Sequence, residues 1–167
     1  DNVKGVKAGY VVWNVKALEL TVEEANIENG VLNAIYDTDC VVDLTQKQLL
    51  ACRVQSCGKC VFCREGLLQL ESMQKDVTVG KGKLPELDMT KEIGEAMTFS
   101  TPCSMGQNAS RIALSAAEAF RGEYEEHIKK HKCAADVCIA FRKVYVDPTV
   151  CNGCTGCLDA CPHDAID

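Results

Sequence analysis

The spacing of hydrophobic and polar positions changes twice along this chain. Residues 1 to about 36 are β-like: Tyr10-Val11-Val12-Trp13 is aromatic and β-branched, and Ala17 to Val22 alternates. Asn29-Gly30 is a turn signal between short apolar runs, so a small hairpin or the end of a sheet is expected there. From residue 37 to about 131 the rhythm becomes helical. One helix is expected from residue 39 to about 54. A second runs through Gly66-Leu67-Leu68-Gln69-Leu70 to about Lys75, and Val79-Gly80-Lys81-Gly82 breaks the pattern. A third starts near Pro85, a favoured first helical residue, and carries Met89, Ile93 and Met97 at steps of four before Thr101-Pro102 stops it. A fourth carries Ala113, Ala116, Ala117, Phe120, Tyr124, His127 and Ile128 at three- and four-residue steps, an apolar stripe over about four turns. Arg121, Glu125 and Lys129 fill its other side, and the acidic Glu123, Glu125 and Glu126 are expected on a solvated face. Four helices with short links predict a bundle. After Cys138 the character changes again. Lys143 to Asp147 reads as one short strand, and the last seventeen residues hold four cysteines.

Composition narrows the picture only in places. At 167 residues, 47% hydrophobic and 25% charged, the chain can bury a core without cross-links. No apolar run approaches a membrane span, and no apolar leader opens the chain. A net charge of −6 gives nucleic-acid binding no electrostatic support. The chain begins with Asp1, which suggests processing or a fragment.

Cysteine is where the composition departs from the ordinary, with twelve residues. Cys151-x2-Cys154-x2-Cys157-x3-Cys161-Pro162 is the bacterial ferredoxin run for a [4Fe–4S] cluster. Two-residue gaps let one tight loop deliver three thiolates to three corners of a cubane, and Gly153 and Gly156 permit close backbone approach. Zinc sites more often use two CxxC pairs separated by a longer loop. Cys161 completes the run, although such a cysteine serves the other cluster in two-cluster ferredoxins. A fourth ligand from elsewhere, or a chain truncated after Asp167, is the other expectation.

A second constellation reads Ser56-Cys57-Gly58-Lys59-Cys60-Val61-Phe62-Cys63-Arg64-Glu65-Gly66, at the start of a helix. Helix N-terminal amides favour thiolates and an anionic cluster, and Arg64 adds positive charge as a cofactor-binding residue. Forty residues after Cys63, Thr101-Pro102-Cys103 opens the fourth helix. A bundle brings such helix ends together, so Cys57, Cys60, Cys63 and Cys103 are expected to ligate a second [4Fe–4S] cluster.

These motifs resemble a known family. The run from Ser56 to Gly66, with the later TxCxxGxxA segment at Thr101 to Ala109, is similar to the iron–sulfur domain of the NADH-binding flavoprotein subunit of respiratory complex I. Residues 36–43 are similar to the segment that opens that domain. Residues 120–127, then Lys132-Cys133 through Cys138, then the ferredoxin run, resemble the homologous subunit of electron-bifurcating hydrogenases and NAD-linked formate dehydrogenases. The resemblance covers residues 30–167 and implies a four-helix bundle with one [4Fe–4S] cluster. Here Val61-Phe62 replaces the family's common Thr-Pro, and nothing in residues 1–36 has the glycines or length to hold FMN or NADH.

His127-x5-Cys133-x4-Cys138 could supply three ligands of a zinc site, with Cys52, His131 or a partner chain as the fourth. The alternatives are a core histidine with two free thiols, or one of the pair completing the ferredoxin-type cluster. Cys40 and Cys52 are expected to be ordinary helix residues, and His163 a surface one. Met89, Met97 and Met105 are expected to fill the core.

The expected fold is mainly α. A β segment over 1–36, which the resemblance suggests is a remnant of a ubiquitin-like domain, precedes a four-helix [4Fe–4S] bundle over 37–131. A Cys/His linker over 132–142 and a small ferredoxin-like α+β module over 143–167 follow. The expected function is a non-catalytic electron relay in an NAD(P)H-linked, electron-bifurcating oxidoreductase complex. Two [4Fe–4S] clusters and Zn2+ are expected on this chain, with FMN or FAD and NAD(P) on a partner. Expected partners are a flavoprotein, a thioredoxin-like [2Fe–2S] subunit, and a hydrogenase or ferredoxin, in a reducing cytoplasm or peripheral to a membrane complex. The competing readings are a zinc-structured interaction module and a disulfide-stapled secreted domain. The second fits poorly, because closely spaced cysteines at helix ends are badly placed to pair.

Overall fold

The structure, a computed structural model, describes residues 2–15, 19, 31–142, 146–162 and 166. Most of the alternation over 17–22, the Asn29-Gly30 turn, most of the strand expected over 143–147, and His163 lie outside the described residues.

Three antiparallel strands form a sheet in the order β2-β1-β3: β1 (Val3–Ala8), β2 (Val11–Asn14) and β3 (Leu32–Tyr36). The tight turn falls at Gly9-Tyr10, where Gly9 takes φ +56. The register slips between Val3 and Gly5, making Lys4 the extra residue of a bulge. A bulge re-aims its side chain. Lys4 Nζ reaches off the sheet to the Asp39 carbonyl and to Glu123 Oε2 at 2.9 Å.

Four helices follow: α1 (Val41–Gln55), α2 (Val61–Thr78), α3 (Pro85–Ser100) and α4 (Ser104–Ala119). Each packs on the two beside it, α1 on α2 and α4, α3 on α2 and α4, while β2 rests on α4. Leu49, Leu67, Leu70, Met97, Ile112, Ala113 and Ala116 fill the middle. Burying one such large side chain contributes about 1.5–3 kcal/mol.

Two expectations need correction. The fourth apolar stripe is not one helix: α4 stops and α5 (Arg121–Lys130) restarts at Phe120, whose backbone leaves the helical region at φ −124 and ψ 30. The Phe120 ring sits against Gly5 of β1, where any Cβ would collide with it. Docking on the sheet thus wins over helix continuity. On α3 the buried positions are Leu87, Thr90, Gly94 and Met97, while Met89 is exposed. Steps of four alone drift around a helix, and the true stripe alternates threes and fours.

Beyond α5 the chain makes a short 3-10 turn (Ile139–Phe141) and, further on, a five-residue helix α6 (Gly156–Ala160). Val146 and Asp147 are not strand. Among the described residues no helix is long and apolar enough to cross a membrane.

Candidate metal centres

The up-down course of the bundle puts the C-terminal ends of α1 and α3 beside the N-terminal ends of α2 and α4. At that end lies a cavity of about 160 Å3 lined by Cys57, Cys60, Cys63 and Cys103 with Gln55, Ser56 and Met105. Cys60 and Cys103 occupy the N-cap positions of α2 and α4, and neither makes a side-chain capping bond. Ser, Thr, Asp or Asn there would stabilise each helix by about 1 kcal/mol. Cysteine at both caps gives that up and brings sulfur to two helix N-termini, whose partial positive charge favours thiolates and anions.

The loop between α1 and α2 is held from several sides. Gly58 has φ +69, a conformation that L side chains rarely adopt. Arg64 donates to the Gly58 carbonyl at 3.1 Å and to Glu65 at 2.7 Å, so its guanidinium braces the loop. Ahead of Cys103, Gln107 donates to the Thr101 carbonyl at 2.8 Å and the Thr101 hydroxyl to the Met97 carbonyl. A Cβ on Gly106 would strike Thr101 and sit 3.2 Å from Cys63 Sγ, so α4 closes on α2 only with glycine there. Cys63 is buried, Cys60 half-buried, and Cys57 and Cys103 are exposed.

The opposite end of α1 carries a different group. Cys40, His127, Cys133 and Cys138 are all buried, with their ligating atoms within 4.8 Å of one another. Cys40 is the N-cap residue of α1. His127 lies on α5, which ends at His131 in the left-handed conformation and sends the chain back with Cys133 and Cys138. Cys40 Sγ is 3.3 Å from His127 Nε2 and 3.7 Å from Cys138 Sγ, and Cys138 Sγ is 3.5 Å from Nε2. Zinc with Zn–S bonds of ~2.3 Å and Zn–N bonds of ~2.0–2.1 Å at tetrahedral angles requires S–S separations of about 3.8 Å and S–N of about 3.6 Å. The Cys40, His127 and Cys138 separations match what one ion needs, and Cys133 Sγ lies within 4.8 Å of the same atoms.

The surroundings orient the ligands. His127 Nδ1 lies 2.8 Å from the Glu123 carbonyl, an acceptor, so Nδ1 carries the proton and Nε2 faces the sulfurs. Glu123 Oε1 accepts the Val41 N–H at 2.8 Å, and Lys4 closes the same corner. Glu123 thus ties β1, α1 and α5 together, while Glu125 and Glu126 pair with Arg121, Lys129 and Lys130 on the exposed face, as expected for them. The Cys138 thiol beside it and burial push the Cys40 thiol well above the ordinary range. Burial opposes charge on His127, but Cys40 and the Glu123 carbonyl outweigh it and raise the imidazole to about 9. A divalent cation inverts this balance, because thiolates and neutral imidazole are the forms that ligate.

Cys40 is the residue that sequence reasoning missed. It lies 87 positions from His127, and nothing local marks it. Cys52 is buried on α1 outside the group, and His131 is exposed with its ring tilted against Phe141. Cys133 and Cys138 sit with Cys40 and His127, not with the ferredoxin run.

That run is strung along an exposed loop and α6. Cys151, Cys154 and Cys157 are exposed and Cys161 is half-buried. Gly153 (φ +70) and Thr155 (φ +57) turn the loop, and Asn152 Oδ1 accepts the Cys154 N–H at 3.1 Å.

Comparison with known proteins gives two family matches. Residues 43–127 match the NADH-ubiquinone oxidoreductase-F iron-sulfur binding region, and residues 144–167 match the 4Fe-4S binding domain. The NADP-reducing hydrogenase subunit HndC of Solidesulfovibrio fructosivorans is 33% identical over 138 residues, 83% of this chain and 28% of that protein. An NADH-quinone oxidoreductase subunit of Streptomyces coelicolor is 34% identical over 105 residues, 63% of this chain and 23% of that protein. The chain therefore spans about a quarter of the length of these relatives. In shape it resembles a chain of the NAD+-reducing [NiFe]-hydrogenase in the H2-reduced state, with a TM-score of 0.69 over 79% of this chain and 24% of that one. At 18% identity, that likeness speaks to fold.

Proposed function

Because the chain belongs to the NADH-ubiquinone oxidoreductase-F iron–sulfur family, we propose that it is an electron-relay part of an NAD(P)H-linked oxidoreductase complex. The observation that carries this reading is the gathering of Cys57, Cys60, Cys63 and Cys103 around one cavity at two helix N-termini. A [4Fe–4S] cluster bound there supplies one-electron transfer. The four cysteines hold it with no iron left for a substrate. Burial of Cys63 insulates one side, and the exposed Cys57 and Cys103 leave the other side open to a partner.

Cys151, Cys154, Cys157 and Cys161 hold a second, ferredoxin-type cluster in this reading, supported by the 4Fe-4S binding domain match. Cys40, His127, Cys133 and Cys138 hold a structural zinc ion in this reading, supported by their burial, the gathering of their ligand atoms within 4.8 Å, and the Cys40, His127 and Cys138 distances. Cys40, Cys133 and Cys138 lie outside the matched 43–127 segment, so this site rests on geometry alone. The flavin and NAD(P) sites lie on a partner or on another part of the protein, since the chain spans only a quarter of its relatives. Electron bifurcation with a hydrogenase or ferredoxin partner is the finer form of the proposal, supported by the likeness to HndC. The reading of a zinc-structured module accounts for one group of ligands and leaves both cysteine triplets unexplained.

The test is iron, acid-labile sulfide and zinc per chain on anaerobically purified protein. About eight irons with matching sulfide, plus one zinc, is the expected result. Zinc without iron overturns the relay. Cys60→Ala should remove one EPR signal and leave the ferredoxin-type one, and Cys154→Ala should do the reverse. Two intact signals in either variant refute the ligand sets.

A further inference from the structure

Cys63 is the most buried of the four cavity cysteines, and Ser56 is beside it. Ser56 Oγ lies 3.6 Å from Cys63 Sγ, within hydrogen-bonding range of a large sulfur acceptor. The same oxygen accepts the Gly58 N–H at 3.3 Å. That bond occupies a lone pair and leaves the single hydroxyl proton free to turn elsewhere. A cluster ligand is a thiolate and has no proton to give. With Cys63 as a ligand, the direction is therefore fixed: Ser56 donates and the sulfur accepts.

The arrangement is built rather than incidental. Ser56 is the C-cap residue of α1, and its backbone N–H bonds to the Arg53 carbonyl at 3.3 Å. Gly58 reaches back to it through a left-handed turn, and Arg64 pins the Gly58 carbonyl from the first turn of α2. Arg64, Gly58 and Ser56 thus form one brace ending at Cys63 Sγ. Gly106 closes the far side of the same sulfur, where a Cβ would crowd it.

We propose that Ser56 sets the reduction potential of the centre held by Cys57, Cys60, Cys63 and Cys103, by donating its hydroxyl hydrogen bond to the Cys63 thiolate. The inference rests on reading that centre as a [4Fe–4S] cluster. Reduction adds one electron, breaks no bond, and increases negative charge on the sulfurs. A donor aimed at one of them stabilises the reduced form more than the oxidised form and raises the potential. The effect is largest at a buried ligand, where low local dielectric strengthens the bond. Water screens the same interaction at exposed Cys57 and Cys103.

The test compares Ser56, Ser56→Ala and Ser56→Thr in the full chain, on a Cys154→Ala background that isolates the bundle signal, by EPR-monitored redox titration with iron and sulfide counted alongside. Ser56→Ala should keep its iron and titrate at a lower potential. At the parent midpoint its reduced-to-oxidised ratio should fall about tenfold, equivalent to about 59 mV for one electron. Ser56→Thr, which keeps the hydroxyl, should return most of the shift. A full iron count with an unmoved midpoint in Ser56→Ala overturns the proposal and leaves the cluster reading standing. Loss of iron in place of a shift also overturns it, because Ser56 would then build the site rather than tune it. If Cys63→Ala leaves the parent signal unchanged, the reading of the centre itself is what fails.

Discussion

The two ends of α1 gather the same kind of side chain in opposite ways. At the N-terminal end, three sulfurs and one imidazole nitrogen crowd within 4.8 Å, all buried, brought together from α1, α5 and the segment after it. Past the C-terminal end, four sulfurs surround a hollow of about 160 Å3, two of them exposed, three from one short loop and the helix it opens. Close spacing suits one ion that shares its charge with every ligand. A hollow lined by sulfurs suits a larger inorganic core. Whether the ligands meet or enclose a hollow is what distinguishes the two.

The largest expected break in this comparison comes from the crowded end. Cys138→Ala or His127→Ala should lose zinc and free the segment after α5. The cost is about 3 kcal/mol, a fall of roughly 6–12 °C in Tm at this chain length. Visible absorption from the bundle cluster should persist, because these ligands lie at the opposite end of α1 from the cysteine-lined cavity. Simultaneous bleaching would show that the two ends are not independent.

A pH titration sharpens the same contrast. His127 in the metal-free protein titrates near 9, so its proton stabilises the metal-free fold in acid and that contribution is lost as pH rises through about 9. The metal-bound form needs the nitrogen unprotonated. Zinc affinity should therefore fall with falling pH, about tenfold per unit for each proton released. Competition with a chelator between neutral and mildly acid pH measures the slope. A flat response would mean the ligands hold no protons to displace.

A smaller effect is expected at Glu123→Gln. It weakens the bonds to the Val41 N–H and to Lys4 but leaves the Glu123 carbonyl on His127. Urea unfolding should show a loss of about 1–2 kcal/mol, with zinc content unchanged. Zinc loss here would mean that the side chain, and not the carbonyl, positions the imidazole. Smallest is Lys129→Ala on the outer face of α5. Its ammonium, by hydrogen bonding, draws the Glu125 carboxyl below the usual range, a stabilisation that is present above that range and fades as pH falls through it. Lys129 is exposed and Glu125 only half-buried, so water screens the pair and Tm should not measurably move.

What could be read from the sequence follows from how local each feature is. The cysteine triplets were legible because two-residue gaps place three ligands within one turn of chain. Cys103 was legible because Thr101-Pro102 marks a helix start and a bundle must bring helix ends together. His127, Cys133 and Cys138 could be grouped by proximity, but their fourth companion could not. Cys40 joins them only because β1, through Lys4 and Glu123, seats the start of α1 against α5. The break at Phe120 was hidden for the same reason, since the helical periodicity runs through it and only the sheet diverts it. Met89 differs for another reason: its four-residue step suggests a stripe, whereas the packing follows alternating threes and fours.

One helix joins the two ends. α1 has fifteen residues and no break, so at ~1.5 Å per residue it is a rod of about 22 Å. Its length is set by backbone hydrogen bonds. Loading the Cys40, His127, Cys133 and Cys138 group with a paramagnetic ion such as cobalt would make α1 a built-in ruler. Magnetic coupling between the ends would then report one fixed distance, the same for the isolated chain and for the chain in the proposed complex.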